Sequence, residues 1–273
     1  MTFRLLVVLF FVQFKILAQS LSVSNLPILV INTKGATIVD EPKIPAKFTL
    51  YDRGKGQLNQ MTDKPAFSFW AGIEYRGSTS QGDWYFLPGL VKKPYGFEIW
   101  TDSVAMKPLK LPIVQMPSES DWVLNASYND RTFLRDVVAQ QMAGQLGLQH
   151  SNTRYVEVVL NDVYQGIYIL MEKIKQGGAR LDIADLKSID NAGDDVTGGY
   201  LVKIDKTSGA TARSWNSSYV SGKGTFKSYF QIEYPKAENI TTQQFTYIKN
   251  HVNTFEKSLQ DENPLKATTT YRS

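Results

Sequence analysis

Apolar side chains recur at every second position through several stretches of the chain, and this spacing predicts a set of strands. Ile28 to Thr33 is a compact apolar run that reads as a buried strand, turned by Lys34-Gly35. Ile44, Ala46, Phe48 and Leu50 alternate through Ile44 to Tyr51, with Pro45 pointing to an edge position because proline donates no ladder hydrogen bond. Phe67, Phe69, Ala71, Ile73 and Tyr75, then Tyr95, Phe97 and Ile99, flank a polar turn and read as strand, turn, strand. Leu109 to Ser120, broken by Pro112 and Pro117, is irregular, and Trp122, Val123 and Leu124 after it are core anchors. Arg154 to Leu160 and Tyr164 to Met171 form a hairpin around Asn161-Asp162, with Gly166 allowing a close backbone approach. Tyr200 to Asp205 and Phe226 to Tyr234 are further strands, separated by a Ser/Gly/Thr-rich stretch, Thr207 to Gly224, that reads as a mobile surface loop. Two segments change period. Leu134, Val137, Val138, Met142 and Leu146 predict a helix over Arg131 to Leu146, N-capped by Asp130 and ended by Gly147. Phe245, Ile248, Val252, Phe255 and Leu259 predict a second over Thr241 to Leu259. The fold class is therefore α+β, with antiparallel sheet and helices.

The first twenty residues stand apart. Arg4 precedes an apolar run from Leu5 to Val12, and Ala18-Gln19-Ser20 offers a cleavage region, the pattern of a secretory signal peptide. The run is short for a bilayer span and Lys15 interrupts it. The expectation is an exported protein with no membrane span after cleavage. The remaining ~250 residues suffice for a real core. Cysteine is absent, which excludes disulfides, thiol catalysis and cysteine metal sites. Only two histidines occur, His150 and His251, far apart, so a histidine-rich zinc site is not expected, and no G-x-S-x-G elbow is present. The net charge of +4 is spread along the chain without a basic block, so no nucleic-acid partner is expected.

Candidate chemistry concentrates in Arg76 to Trp100. Arg76-Gly77, the hydroxyls Ser78, Thr79 and Ser80, and the pair Lys92-Lys93 lie about one turn. Hydroxyls, backbone N–H groups and fixed cations are what a phosphate needs; a solvated hairpin with ordinary surface lysines is the plain alternative. The order of hairpin, helix, hairpin and connector also matches that of a protein-kinase N-lobe. In that frame Met171 to Ile174 is the hinge, whose backbone faces the adenine edge. The usual G-x-G-x-x-G-x-V and V-A-I-K strings are missing, and the main helix has no glutamate to pair with a lysine.

Five strings carry a family resemblance: YRGSTSQ (Tyr75 to Gln81), KKPYGFEIW (Lys92 to Trp100), DWVLNASYNDRTFLRD (Asp121 to Asp136), YVEVVLNDVYQGIYILMEKI (Tyr155 to Ile174) and GGYLVKID (Gly198 to Asp205). In this order they resemble the CotH family of spore-coat-type atypical protein kinases, which includes exported bacterial members. The resemblance implies a kinase-like lobe preceded by a β-rich segment, with 1–20 a signal peptide, 21–66 the β-rich segment and 67–273 the kinase-like domain. It implies ATP and Mg²⁺ as cofactors and a protein substrate phosphorylated on Ser or Thr. Carried over, Arg76, Gly77 and Ser80 touch the nucleotide phosphates, and Lys93 is the phosphate-binding lysine with Lys92 as its alternate. Arg135 is the helix arginine, and Glu172 with Ile174 falls on the E-K-I element at the strand exit, Glu172 either pairing with the lysine or serving the hinge.

Two departures qualify the resemblance. GDWYFLPGL, with Trp84, Tyr85 and Phe86, intervenes between R-G-x-x-S and the lysines. The family's catalytic and metal-binding aspartates come from a region later than a segment resembling the one near Tyr271, so the chain reads as a C-terminally incomplete, inactive portion whose Phe245, Ile248, Val252 and Phe255 lack part of their packing partners. The rival reading is an exported, non-enzymatic module that binds glycan or protein through Trp70, Trp84, Tyr85 and Trp100.

Overall fold

The computed structural model describes residues 21–77, 92–178, 180–205, 213–220 and 224–260; the signal-type segment, Ser80, the 82–90 insertion and the stretch around Tyr271 lie outside them. The chain divides into two compact units, Met1–Glu172 and Lys173–Ser273.

In the first unit the alternating segments become seven strands: β1 (Ile28–Asn32), β2 (Ile44–Tyr51), β3 (Phe67–Tyr75), β4 (Tyr95–Trp100), β5 (Asp121–Asn125), β6 (Thr153–Leu160) and β7 (Val163–Glu172). They form a closed barrel in the order β1-β2-β3-β4-β5-β7-β6, with β6 returning to β1. Every neighbouring pair is antiparallel except the closing one, where Ile28 to Ile31 run parallel to Glu157 to Leu160. The N-terminal strands β1 and β2 are thus staves of the same barrel as β3 to β7, and a parallel pair closes what the sequence reads as an antiparallel sheet. Pro45 is not on an edge strand. It pairs with Gly72 on one side, and β1 reaches β2 only as far as Lys47, so no ladder bond is asked of it on the other.

The inward row is aromatic and aliphatic. Phe48, Phe69 and Phe97 meet across β2, β3 and β4, with Phe48 centroids 5.2 Å from Phe69 and 4.9 Å from Phe97. Ile73, Ile99, Trp122, Leu124, Val156, Tyr168 and Leu170 complete this core, into which Ile113, Val114 and Met116 of the irregular Leu109 to Ser120 segment also pack. On the opposite face of the sheet the Trp100 ring lies flat over Gly72, where an added Cβ would come within 2.1 Å of it.

Helix α1 (Arg135–Gln145) is shorter than the apolar period predicts. Asp130 does not cap it directly: its carboxylate accepts the N–H groups of Thr132 (3.1 Å) and Arg135 (2.9 Å), while Phe133 takes a left-handed φ of 58° between them. The competing local hydrogen bonds delay the first turn. The end follows the sequence, with Gly147 at φ 72° and the Leu148 N–H returning to the Ala143 carbonyl (2.9 Å). The apolar stripe is mostly in solvent: Val137 is buried, but Leu134, Val138, Met142 and Leu146 are exposed.

In the second unit β8 (Leu201–Ile204), β9 (Ser214–Asn216) and β10 (Tyr229–Tyr234) form a three-stranded sheet in the order β8-β10-β9. β9 lies within the stretch read as a mobile loop; Trp215 draws it into the core, 5.3 Å from Phe230. Helix α2 (Thr242–Gln260) places Phe245, Ile248 and Val252 against Trp215, Phe230, Ile232 and Ile240. The predicted exposure of that stripe is therefore corrected: Ile248 is buried, and Phe255 and Leu259 are the members left in water. No helix of the described residues is long and apolar enough to cross a membrane.

Candidate functional site

The site is one mouth of the barrel, where β3 leaves and β4 enters. Tyr75 and Tyr95 are register partners there, their rings stacked at 5.7 Å, and Tyr95 lies 6.0 Å from Tyr168 of β7. Past this pair the Arg76 N–H donates to the Pro94 carbonyl (3.1 Å), so the hairpin remains tied one residue beyond the strands. That tie sets the Arg76 backbone against Pro94, the residue that follows Lys92 and Lys93. Gly77 has φ 91°, a conformation that suits glycine.

The two lysines differ. The Lys93 ammonium lies 4.8 Å from the Tyr75 ring centroid, and its backbone carbonyl accepts the Tyr168 hydroxyl (3.0 Å). Lys92 is enclosed, its ammonium 4.6 Å from the Phe133 centroid and 4.5 Å from that of Tyr168 while it donates to the Ile167 carbonyl. That carbonyl needs a donor because β5 covers β7 only from Ile169 onward. Gly166, at φ 86° beside the β6–β7 register shift, is needed for its left-handed backbone and not for the close approach expected of it, since a Cβ there would meet the ammonium only at an ordinary contact distance of 3.9 Å.

Electrostatics follow from this enclosure. Burial pushes the Lys92 pKa down to about 8, against the attraction of the Glu157 carboxylate, so desolvation is the larger effect. Burial raises Tyr95 to about 12 and Tyr168 further still, so both phenols remain neutral donors. Desolvation also lowers Arg76, with Glu74 opposing, though a guanidinium stays charged in any ordinary buffer.

The other predicted residues are placed differently. Arg135 is in solvent, its Nε 3.8 Å from Asp130. Glu172 is buried at the far end of β7, about 17 Å along the strand from Ile167, and its Oε2 accepts both the backbone and side-chain N–H of Asn152 (3.0 Å each). Ile174 is an exposed residue of the second unit. Sequence reasoning did not find Phe133, Tyr168 or Glu157, which surround Lys92; all three lie inside the quoted strings, but nothing in their spacing marks them. The aromatic platform is not assembled among the described residues: Trp100 is buried, Trp70 lies between the ammonium groups of Lys34 (5.4 Å) and Lys47 (5.3 Å), and Trp84 and Tyr85 fall outside.

A family model, CotH kinase protein, matches residues 73–271, from inside β3 through the second unit. The chain belongs to the CotH kinase protein family. No curated protein matches it. The CotH match takes in Arg76, Lys92, Lys93, Phe133 and Tyr168, and leaves β1 and β2 outside although the barrel needs both. A CotH-type kinase-like domain is one that handles a nucleotide and a metal. The cationic mouth fits a polyphosphate. For the metal, no three His, Cys, Asp or Glu side chains gather to hold an ion among the described residues, so no described residue is assigned to one.

Proposed function

We propose that the barrel mouth binds the phosphates of ATP, and that the activity it serves is transfer of the γ-phosphoryl group to Ser or Thr of a protein, with Mg²⁺. The observation that carries the reading is the placement of the Lys92 and Lys93 ammonium groups over the Tyr168 and Tyr75 rings, at a hairpin end tied by the Arg76 N–H, within a CotH family match. Phosphoryl transfer asks a protein mainly for positioning and charge neutralisation. Lys92 supplies a fixed cation, since its ammonium is already held by a carbonyl and two rings and pays little reorganisation when an anion arrives. Lys93, whose ammonium lies over the Tyr75 ring face, is the lysine that reaches out to the phosphate, with the Tyr168 hydroxyl steadying its backbone. Arg76 offers a forked donor on the facing strand end. Export through residues 1–20 remains part of the proposal.

Calorimetric titration with ATP tests it. Wild-type chain binds, and Lys93→Ala or Arg76→Ala weakens binding by on the order of tenfold or more. Affinity falls as pH rises through about 8, where Lys92 loses its proton. Absence of ATP binding by the wild type, or equal affinity in both variants, overturns the reading.

A further inference from the structure

Glu157 is a carboxylate taken out of water on β6, 7% exposed. Its two oxygens are held by hydroxyls from two different parts of the chain: Oε1 accepts from Ser24 (2.9 Å) and Oε2 from Tyr164 of β7 (2.7 Å). Its own N–H donates to the Pro27 carbonyl (2.9 Å). Ser24 is itself anchored, forming a bridge with Asn59 through backbone bonds of 3.0 and 2.8 Å, and Asn59 in turn donates to the Leu26 carbonyl (2.9 Å). Among the described residues no cation lies within ion-pair distance of Glu157. A buried carboxylate fixed only by neutral hydroxyls is costly unless a charge nearby offsets it.

The register shows where that charge is. Glu157 stands opposite Ile167 in the β6–β7 ladder, and Ile167 is the residue whose carbonyl takes the Lys92 ammonium. Directly opposed residues of an antiparallel pair lie about 4.5–5.5 Å apart at Cα. We infer that Glu157 is a positioning residue for Lys92: held by Ser24 and Tyr164 across the ladder from the Ile167 carbonyl, its carboxylate keeps that ammonium charged and in place at the mouth. Ser24 precedes the matched region, so a residue outside the family match holds a group inside it. The sequence offers no glutamate on the main helix to partner a mouth lysine; the structure supplies one from a strand.

Among the described residues the groups that face Lys92 are few. From β7 comes the Tyr168 ring, from the loop before α1 the Phe133 ring, and from β6 the Glu157 charge; Lys93 and Arg76 are the like charges of its own hairpin. Tyr164 acts only through Glu157, and its phenol is pushed up to about 12 by burial and by that carboxylate, so it stays a donor. Of these groups, Glu157 is the carboxylate, and its attraction is what opposes desolvation at Lys92. Removing its charge leaves desolvation unopposed and lowers the pH at which Lys92 releases its proton.

The inference rests on the nucleotide reading for its use but not for its measurement. In full-length chain labelled with ¹³C-lysine, the ε-methylene signal of Lys92 is identified by its loss in Lys92→Arg and followed against pH without ligand. The wild-type midpoint falls near pH 8. Glu157→Gln, which keeps the shape and can still meet both hydroxyls, moves it down by on the order of one pH unit, and Glu157→Asp restores part of the shift. A midpoint unmoved in Glu157→Gln overturns the inference, because a merely structural glutamate would change the melting temperature and leave the titration alone. Should Glu157→Gln not fold, Ser24→Ala serves: the released carboxylate turns toward solvent and the midpoint falls, whereas an unchanged midpoint overturns the hold by Ser24. ATP calorimetry on the same wild-type sample separates the two readings. A shifted midpoint without ATP binding leaves the positioning role intact and removes the nucleotide. ATP binding with an unmoved midpoint does the reverse.

Discussion

Lys92 and Lys93 are neighbours in sequence with the same chemistry, and their surroundings make them different groups. Enclosure costs Lys92 part of its charge stability, and the sign of the consequence can be worked out. The ordinary lysine pKa of 10.5 drops to about 8 in the folded protein. Between those values the unfolded chain holds a proton that the folded chain has released, so stability rises with pH from about 8 upward. Tyr95 and Tyr164 work the other way. Their folded pKa of about 12 exceeds the ordinary 10, so the unfolded chain loses its proton first and stability falls above about pH 10. Urea midpoints measured from pH 7 to 11 should therefore climb, pass a maximum near pH 10 and decline, with Lys92→Met removing the climb and sparing the decline. A climb retained in Lys92→Met would show that another group is responsible. The sequence marked the lysine pair and, through the family resemblance, took Lys93 with Lys92 as its alternate. It did not reveal that Lys92 is the enclosed one, because enclosure comes from Phe133 and Tyr168, residues distant along the chain.

Elements were legible where burial and periodicity agree. β1 to β4, β6 and β7 lie close to where the apolar runs and alternation put them, β5 forms around residues read only as core anchors, and Gly147 ends α1 as expected. α1 itself is the instructive failure. Its 3.6-residue stripe is real in sequence, yet of its five members only Val137 is buried and the other four face solvent. Truncating the stripe should therefore give unequal costs. Val137→Ala should lose about 1–2 kcal/mol through two buried methyl groups, while Met142→Ala and Leu146→Ala should each stay within about 0.5 kcal/mol. Chemical denaturation decides it; equal costs at the three sites would mean the stripe is packed in solution. β9 failed in the opposite sense. Its three residues are too few for a period to register among serines and glycines, and only the Trp215 contacts with Phe230 and Phe245 identify it.

For the molecule as a whole, the family match and the physical unit do not coincide. The match begins at Ile73, but the barrel closes only through β1, paired to β6 in parallel, and β2. Ile31 is fully buried on β1 and stands against Phe48 and Leu160. Ile31→Ala should cost about 2–5 kcal/mol in a denaturant titration, the range for large core truncations; a change below about 1 kcal/mol would mean the barrel does not depend on its N-terminal strands. The sequence by itself determined which residues share a face, where the strands and helices fall to within a few residues, and, through its strings, the CotH family. These are local properties, set by backbone geometry and side-chain spacing within one segment. Tertiary structure alone decided that the sheet closes, that Lys92 rather than Lys93 is enclosed, that the Arg76 backbone ties the hairpin end that carries both lysines, and that Glu157 stands across the ladder from the carbonyl Lys92 binds. Each of those depends on segments far apart in sequence meeting in space, and on the water their meeting excludes, which no period along the chain encodes.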